Sequence, residues 1–262
     1  MSKRGLQIFL AVLNLIGFLG VVVVNGLANA LPINNKTTGQ LSDLYPNLFV
    51  PAGLTFSIWG LIYLLLAIFV VYGMVNAFKA DSRLSFIHRV GILFFLTCTA
   101  NILWIFAWHY EILPLSMIIM VFLLACLVMI YLRLSIGKSN ATNRDKYLVH
   151  LPFSVYLGWI TVATIANATA LLVGAHWNTF GLGEQFWAVA VIIVGIAIGL
   201  TMIFQRKDIF FGLVIDWALI GILIKRLALD TSPYQSVVIT SFAGLILISL
   251  GIIFQIVKRR VY

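Results

Sequence analysis

Three stretches of this sequence place aromatic rings and side-chain amides at helical spacing. Phe56, Trp59 and Tyr63 form one set, Asn101, Trp104 and Trp108 a second, and Pro152, Tyr156, Trp159, Ala163 and Asn167 a third. Residues three or four apart share a helix face, so each set is a stripe. Rings on one face stack on a flat apolar molecule, and the amides beside them supply donors and acceptors that fix its orientation. That is binding chemistry. Bond-making chemistry has no comparable support: there is no Gly-rich phosphate loop, nucleophile elbow or close carboxylate pair, so no catalytic residue is assigned and no enzyme is expected. His109, Glu111, His176 and Glu184 lack HxxH or HExxH spacing, so no metal ligands and no cofactor are assigned either.

The elements that must carry these stripes follow from composition. Of 262 residues, 62% are hydrophobic and only 10% charged, against roughly a quarter charged in soluble domains. The chain reads as an integral membrane protein. A hydrocarbon core about 30 Å thick takes roughly 20 apolar residues per helix. Eight such runs lie near 6–30, 53–78, 87–109, 112–134, 147–173, 185–204, 209–229 and 234–257. They are continuously apolar, which excludes the alternating strands of a β-barrel. The expected fold class is an all-α membrane bundle of eight helices. The first run follows Lys3 and Arg4 but is too long for a signal peptide and carries Asn14, Asn25 and Asn29, so it is expected to be retained.

Basic residues give the orientation, because cytoplasmic loops retain Lys and Arg. With the N-terminus inside, only Lys36, Lys225 and Arg226 fall on the outer face. The inner set is Lys3, Arg4, Lys79, Arg83, Arg89, Arg133, Lys138, Arg144, Lys146, Arg206, Lys207, Lys258, Arg259 and Arg260. Both termini are therefore expected in the cytoplasm. The net charge of +9 is accounted for by anionic lipid headgroups, without nucleic acid as a partner. Cys98 and Cys126 lie within helical runs and form no disulfide framework.

On this topology Trp59 lies about 9 Å below the outer end of its helix, Trp104 about 8 Å and Trp159 roughly 20 Å. The stripes can converge in the outer half of the bundle, under an outer loop over 31–52 that holds Pro32, Pro46 and Pro51. A second outer loop spans 174–184. Trp108, Tyr110 and Trp177 fit an interfacial aromatic belt, for which Trp159 is too deep. Asn101 and Asn167 must point inward, either as helix glue or as ligand contacts.

"FVPAGLTFSIWGLIYLLLA", "ANILWIFAWHY" and "LPFSVYLGWITVATIANATALL" resemble, in order, spacing and helix placement, three signature segments of the tryptophan-rich sensory protein family, which includes the translocator protein or peripheral-type benzodiazepine receptor. The resemblance covers residues 1–173. It implies a five-helix membrane bundle that binds porphyrins, sterols and synthetic ligands in a pocket under its first loop. By motif, the pocket residues here would be Pro51, Phe56, Trp59, Tyr63, Asn101, Trp104, Tyr156, Trp159, Ala163 and Asn167. Porphyrin or heme would then be a ligand, not a resident cofactor. The chain departs from the family pattern in having no tryptophan before Trp59, Pro51-Ala52 in place of Pro-Pro, and Pro152-Phe153 in place of Pro-Tyr. It thus lacks the loop aromatics to which porphyrin breakdown in some members is tied.

Residues 174–262 add three helical runs, as in longer bacterial members of the family, so the expected domains are 1–173 and 174–262 and the expected location is a bacterial plasma membrane. Gly195 and Gly199 form a GxxxG that allows close packing within the chain or in a homodimer. Residues 127–133, "LVMIYLR", fit a weak cholesterol pattern. Asp216 is an intramembrane acid and hence a functional candidate, whereas Lys225 and Arg226 are expected to snorkel outward with Asp230 one turn beyond. Three readings follow: a receptor or sensor for a flat hydrophobic small molecule, a transporter of such a molecule with Asp216 as coupling residue, and a structural scaffold.

Overall fold

A computed structural model describes residues 2–31, 33–78, 85–228 and 234–258. Pro32, Lys79, Arg83, Asp230, Arg259 and Arg260, all named above, lie outside them. Among the described residues there is no strand, and eight helices run 17 residues or longer. They are α1 (Lys3–Ala30), α2 (Ile58–Ala77), α3 (Leu93–His109), α4 (Leu113–Leu134), α5 (Leu151–Gly174), α6 (Glu184–Arg206), α7 (Ile209–Leu227) and α8 (Gln235–Val257).

Helix ends follow from local chemistry. Ser2 caps α1 by accepting from the Gly5 N–H at 3.1 Å, and Asp208 caps α7 by accepting from the Phe211 N–H at 3.0 Å. Each cap satisfies a donor that the first turn leaves without an intrahelical partner. Pro114 sits in the first turn of α4, where its missing N–H costs nothing. The expected run 87–109 is interrupted, because Gly91 adopts φ +56 and separates a short helix, Ser85–Val90, from α3. The expected run 53–78 likewise begins as a 3-10 turn, Gly53–Ser57, before α2 starts.

Among the described residues six helical segments are long and apolar enough to cross a membrane. The other two expected crossings fall short of that length or composition. At 17 residues α3 spans about 25 Å, short of a 30 Å core, and α7 carries Asp216, Lys225 and Arg226 within 19 residues.

The chain divides into two compact units, Met1–Thr37 with Trp59–Leu157, and Thr38–Ile58 with Gly158–Tyr262. In the first, α3 packs against α1 and α4. Gly17 of α1 lets Phe95 and Cys98 approach to about van der Waals distance, where an added Cβ would lie 3.0 and 3.1 Å away. Phe69 anchors the core, with ring centroids 5.1 Å from Phe94 and 4.9 Å from Phe153, both in edge-on geometry. In the second unit α6, α7 and α8 form a three-helix pack. Gly199 of the GxxxG lies against Ile248 and Ile215 of the same chain, while Gly195 has nothing near it.

Candidate functional site

Five of the ten expected pocket residues, Trp59, Tyr63, Asn101, Trp104 and Tyr156, lie in the first unit; Pro51, Phe56, Trp159, Ala163 and Asn167 lie in the second.

In the first unit the α2 stripe forms as its spacing requires. Trp59 stacks on Tyr63 with centroids 5.5 Å apart and planes 22° apart, and Tyr156 meets Trp59 edge-on at 6.2 Å. Asn101 is fully buried and works as helix glue: its Oδ1 accepts from Asn25 Nδ2 at 2.7 Å, and its Nδ2 donates to the Tyr156 hydroxyl at 3.5 Å. One amide thus ties α1 and α5 to α3. From the sequence Asn25 served only as a sign that the first run is retained, although an amide in an apolar run announces an inward partner. Trp104 is buried and stacks on Trp108 at 5.7 Å. Trp108 is itself only 5% exposed, so it belongs to the interior and not to an interfacial belt.

One polar atom of this cluster is left over. The Tyr63 hydroxyl is buried and has no hydrogen-bond partner among the described residues. Burying a hydroxyl without a partner costs about 1–3 kcal/mol, so the position favours any molecule that brings a complementary group.

The second unit shows what holds the long outer loop. The segment 38–58 is folded, with Leu41, Leu48, Phe49 and Val50 buried. Asn47 organises its turn, its Oδ1 accepting from the N–H groups of Phe49 and Val50 at 3.1 and 3.0 Å. Helix α7 then fixes it at three points. Trp217 Nε1 donates to the Thr55 carbonyl at 2.9 Å, the Ala52 N–H donates to the Gly221 carbonyl at 2.9 Å, and Lys225 pairs with Asp43 at 2.6 Å. The approach is close because Gly221 has no side chain: a Cβ there would collide with Thr55 and Pro51. Pro51 and Phe56 ride on this segment, and Phe56 meets the buried Trp159 edge-on at 6.0 Å. Ala163 is half-buried and Asn167 is buried on the same helix.

Trp217 and Gly221 were not singled out from the sequence. They lie one turn apart on one face of α7, so the signal was a tryptophan followed at i+4 by a glycine. What that face meets is far away in sequence. Lys225 reaches Asp43 of the outer loop, whereas Arg226 departs from the expectation of snorkelling outward: it is buried, with its guanidinium 5.7 Å from the Tyr234 ring.

Asp216 is buried on α7. Ser249 Oγ donates to its Oδ2 at 2.9 Å, and its Oδ1 has no partner among the described residues. On the other side of the question of metals, no group of three His, Cys, Asp or Glu among the described residues is arranged to hold an ion.

A family model described as TSPO-like protein matches residues 11–254. The match runs beyond residue 173 through α6, α7 and most of α8, the helices that hold the loop. No curated protein and no solved structure matches the chain.

Proposed function

We propose, from the premise that the chain belongs to the TSPO-like protein family, that it is a membrane receptor or sensor for a flat hydrophobic small molecule of the porphyrin or sterol-like class. The family and the long apolar helices make it an integral helical membrane protein. The observation that carries the ligand reading is the Trp59, Tyr63 and Tyr156 cluster with a buried hydroxyl left unpaired. Two ring faces and one unused donor are what a planar molecule with a polar edge requires. The remaining assignments, Pro51, Phe56, Trp104, Trp159, Ala163 and Asn167, come from the family resemblance.

In this reading α3 and α7 also cross the bilayer, giving eight crossings with both ends of the sequence on the cytoplasmic face. The Tyr234 ring against the Arg226 guanidinium and the pairing of Lys225 with Asp43 supply local compensation for the charges at this end of α7.

Titration of the purified protein with protoporphyrin, heme and sterols tests the proposal, with quenching of the other tryptophans as the readout. Stacking is worth about 0.5–1.5 kcal/mol per ring beyond area burial, so Trp59→Ala and Trp159→Ala should each weaken binding severalfold to about tenfold. Unchanged affinity in folded variants would overturn it.

A second reading, transport of the same molecule, is favoured by one observation. Asp216 is a buried intramembrane acid with a single neutral donor, a setting in which a carboxyl can exchange a proton during a cycle.

A further inference from the structure

The second unit contains a cavity of about 420 Å³ that none of the ten expected pocket residues lines. It opens where α5 ends and α6 begins, against residues 47–49 of the outer segment. Its volume falls within the range of small-molecule sites.

The walls separate by chemistry. Leu172, Ala188 and Val191 give an apolar floor. Above it stand two indoles, Trp177 and Trp187, with ring centroids 5.0 Å apart and planes inclined at 60°. Trp187 is held in place because its Nε1 donates to the Thr179 carbonyl at 2.8 Å. Its polar atom is thereby used, and what remains for an occupant is the electron-rich ring face. Phe186 and Phe180 buttress the same indole from other sides, at 5.4 and 6.3 Å.

Glu184 supplies the charge. It opens α6 one turn before Trp187 and Ala188, so all three share a face. Among the described residues no Lys or Arg lines the cavity, His176 is the only other titratable lining residue, and no hydrogen bond or ion pair engages the Glu184 carboxylate. A carboxylate beside two inclined indole faces, over an apolar floor, is complementary to a cation with an apolar body and repels acidic headgroups.

We infer that this cavity is a second ligand site, which takes an amphiphilic organic ammonium: a protonated or quaternary amine between the indoles and Glu184, and an apolar chain on the floor. Two sources carry that chemistry, a free amphiphilic amine and a lipid with an ethanolamine headgroup.

The test uses the full chain in phosphatidylglycerol nanodiscs at about pH 8. Radiolabelled octyltrimethylammonium is the probe, and octyl sulfate, with the same chain and the opposite charge, is the competitor. Saturable binding is expected that octyl sulfate does not displace. Glu184→Gln and Trp177→Leu should each weaken it roughly fivefold, the size of an exposed cation–π or ion-pair contribution. Glu184 is exposed, so its conservative replacement leaves the packing untouched. Replacing half of the lipid by phosphatidylethanolamine distinguishes the sources: a fall in apparent affinity assigns the site to the lipid headgroup, and no change assigns it to a free amine. Equal affinity in the parent and both variants, or displacement by octyl sulfate, would overturn the inference.

Discussion

Gly221→Ala adds one methyl group where α7 meets the outer segment. That Cβ would lie 2.8 Å from Thr55 Cγ2 and 2.9 Å from Pro51 Cβ, against about 3.5–4.0 Å for an ordinary carbon contact. Neither neighbour is the far end of a flexible chain. Pro51 is a ring closed on its own backbone and Thr55, whose Oγ1 is the atom nearest the added Cβ, is branched at Cβ, so relief must come from moving the segment by about 1 Å or more. Such a shift stretches the Ala52 N–H to Gly221 bond and the Trp217 to Thr55 bond, both now 2.9 Å, out of hydrogen-bond range. Each is worth about 1 kcal/mol net, and overpacking costs about 1–3 kcal/mol. Ala in place of Gly in a helix returns about 1 kcal/mol. The balance is a destabilisation of about 2–4 kcal/mol, read from denaturation midpoints. Porphyrin affinity should also fall severalfold, since Phe56 moves with the segment. Gly195→Ala is the control: nothing lies within 4 Å of that position, so only the helix gain of about 1 kcal/mol applies. If Gly221→Ala proved as stable as Gly195→Ala and bound porphyrin equally well, the docking of the outer segment on α7 would be refuted.

Three further outcomes are expected. Replacing Trp59 or Trp159 by Ala should reduce porphyrin quenching affinity severalfold to about tenfold, with folding checked by monodispersity and helix content. Asp216→Asn keeps shape and removes the charge; in proteoliposomes, flux lost with binding retained would support transport, whereas both unchanged would give Asp216 a structural role. Cysteines introduced at Lys36 and Asn140 should label from opposite sides of the membrane, the native Cys98 and Cys126 being buried and silent, and labelling from one side would contradict the proposed topology.

Helix positions were legible because each apolar run is bounded by charge or turn residues, and those signals are local. The interruptions at residues 91 and 53–57 were not: the 87–109 run is apolar across Gly91, and hydropathy does not register a positive φ or a 3-10 turn. The α2 stripe was legible for the same local reason, since Trp59 and Tyr63 stack at i,i+4. Asn101 was legible as inward-facing, but its choice of Asn25 and Tyr156 depends on residues 76 and 55 positions away. The role of α7 was the least legible. Trp217 and Thr55 stand 162 residues apart, and Lys225 and Asp43 stand 182 apart. Spacing within a helix gives the face that will be used, whereas its partner is decided by packing that a single sequence does not display.

The ligand reading rests most directly on the Tyr63 hydroxyl, and Tyr63→Phe removes that atom alone. If it is kept for a ligand, deletion should leave the free protein as stable as before or more stable, because a buried hydroxyl without a partner is lost. Porphyrin or sterol affinity should meanwhile fall about three- to tenfold, the worth of one net hydrogen bond. Denaturation midpoints and ligand titration of the parent and Tyr63→Phe proteins, measured side by side, give both numbers. Gained or unchanged stability with weakened binding is the expected result; unchanged binding of every porphyrin and sterol tested, or a loss of stability without ligand, would contradict the account.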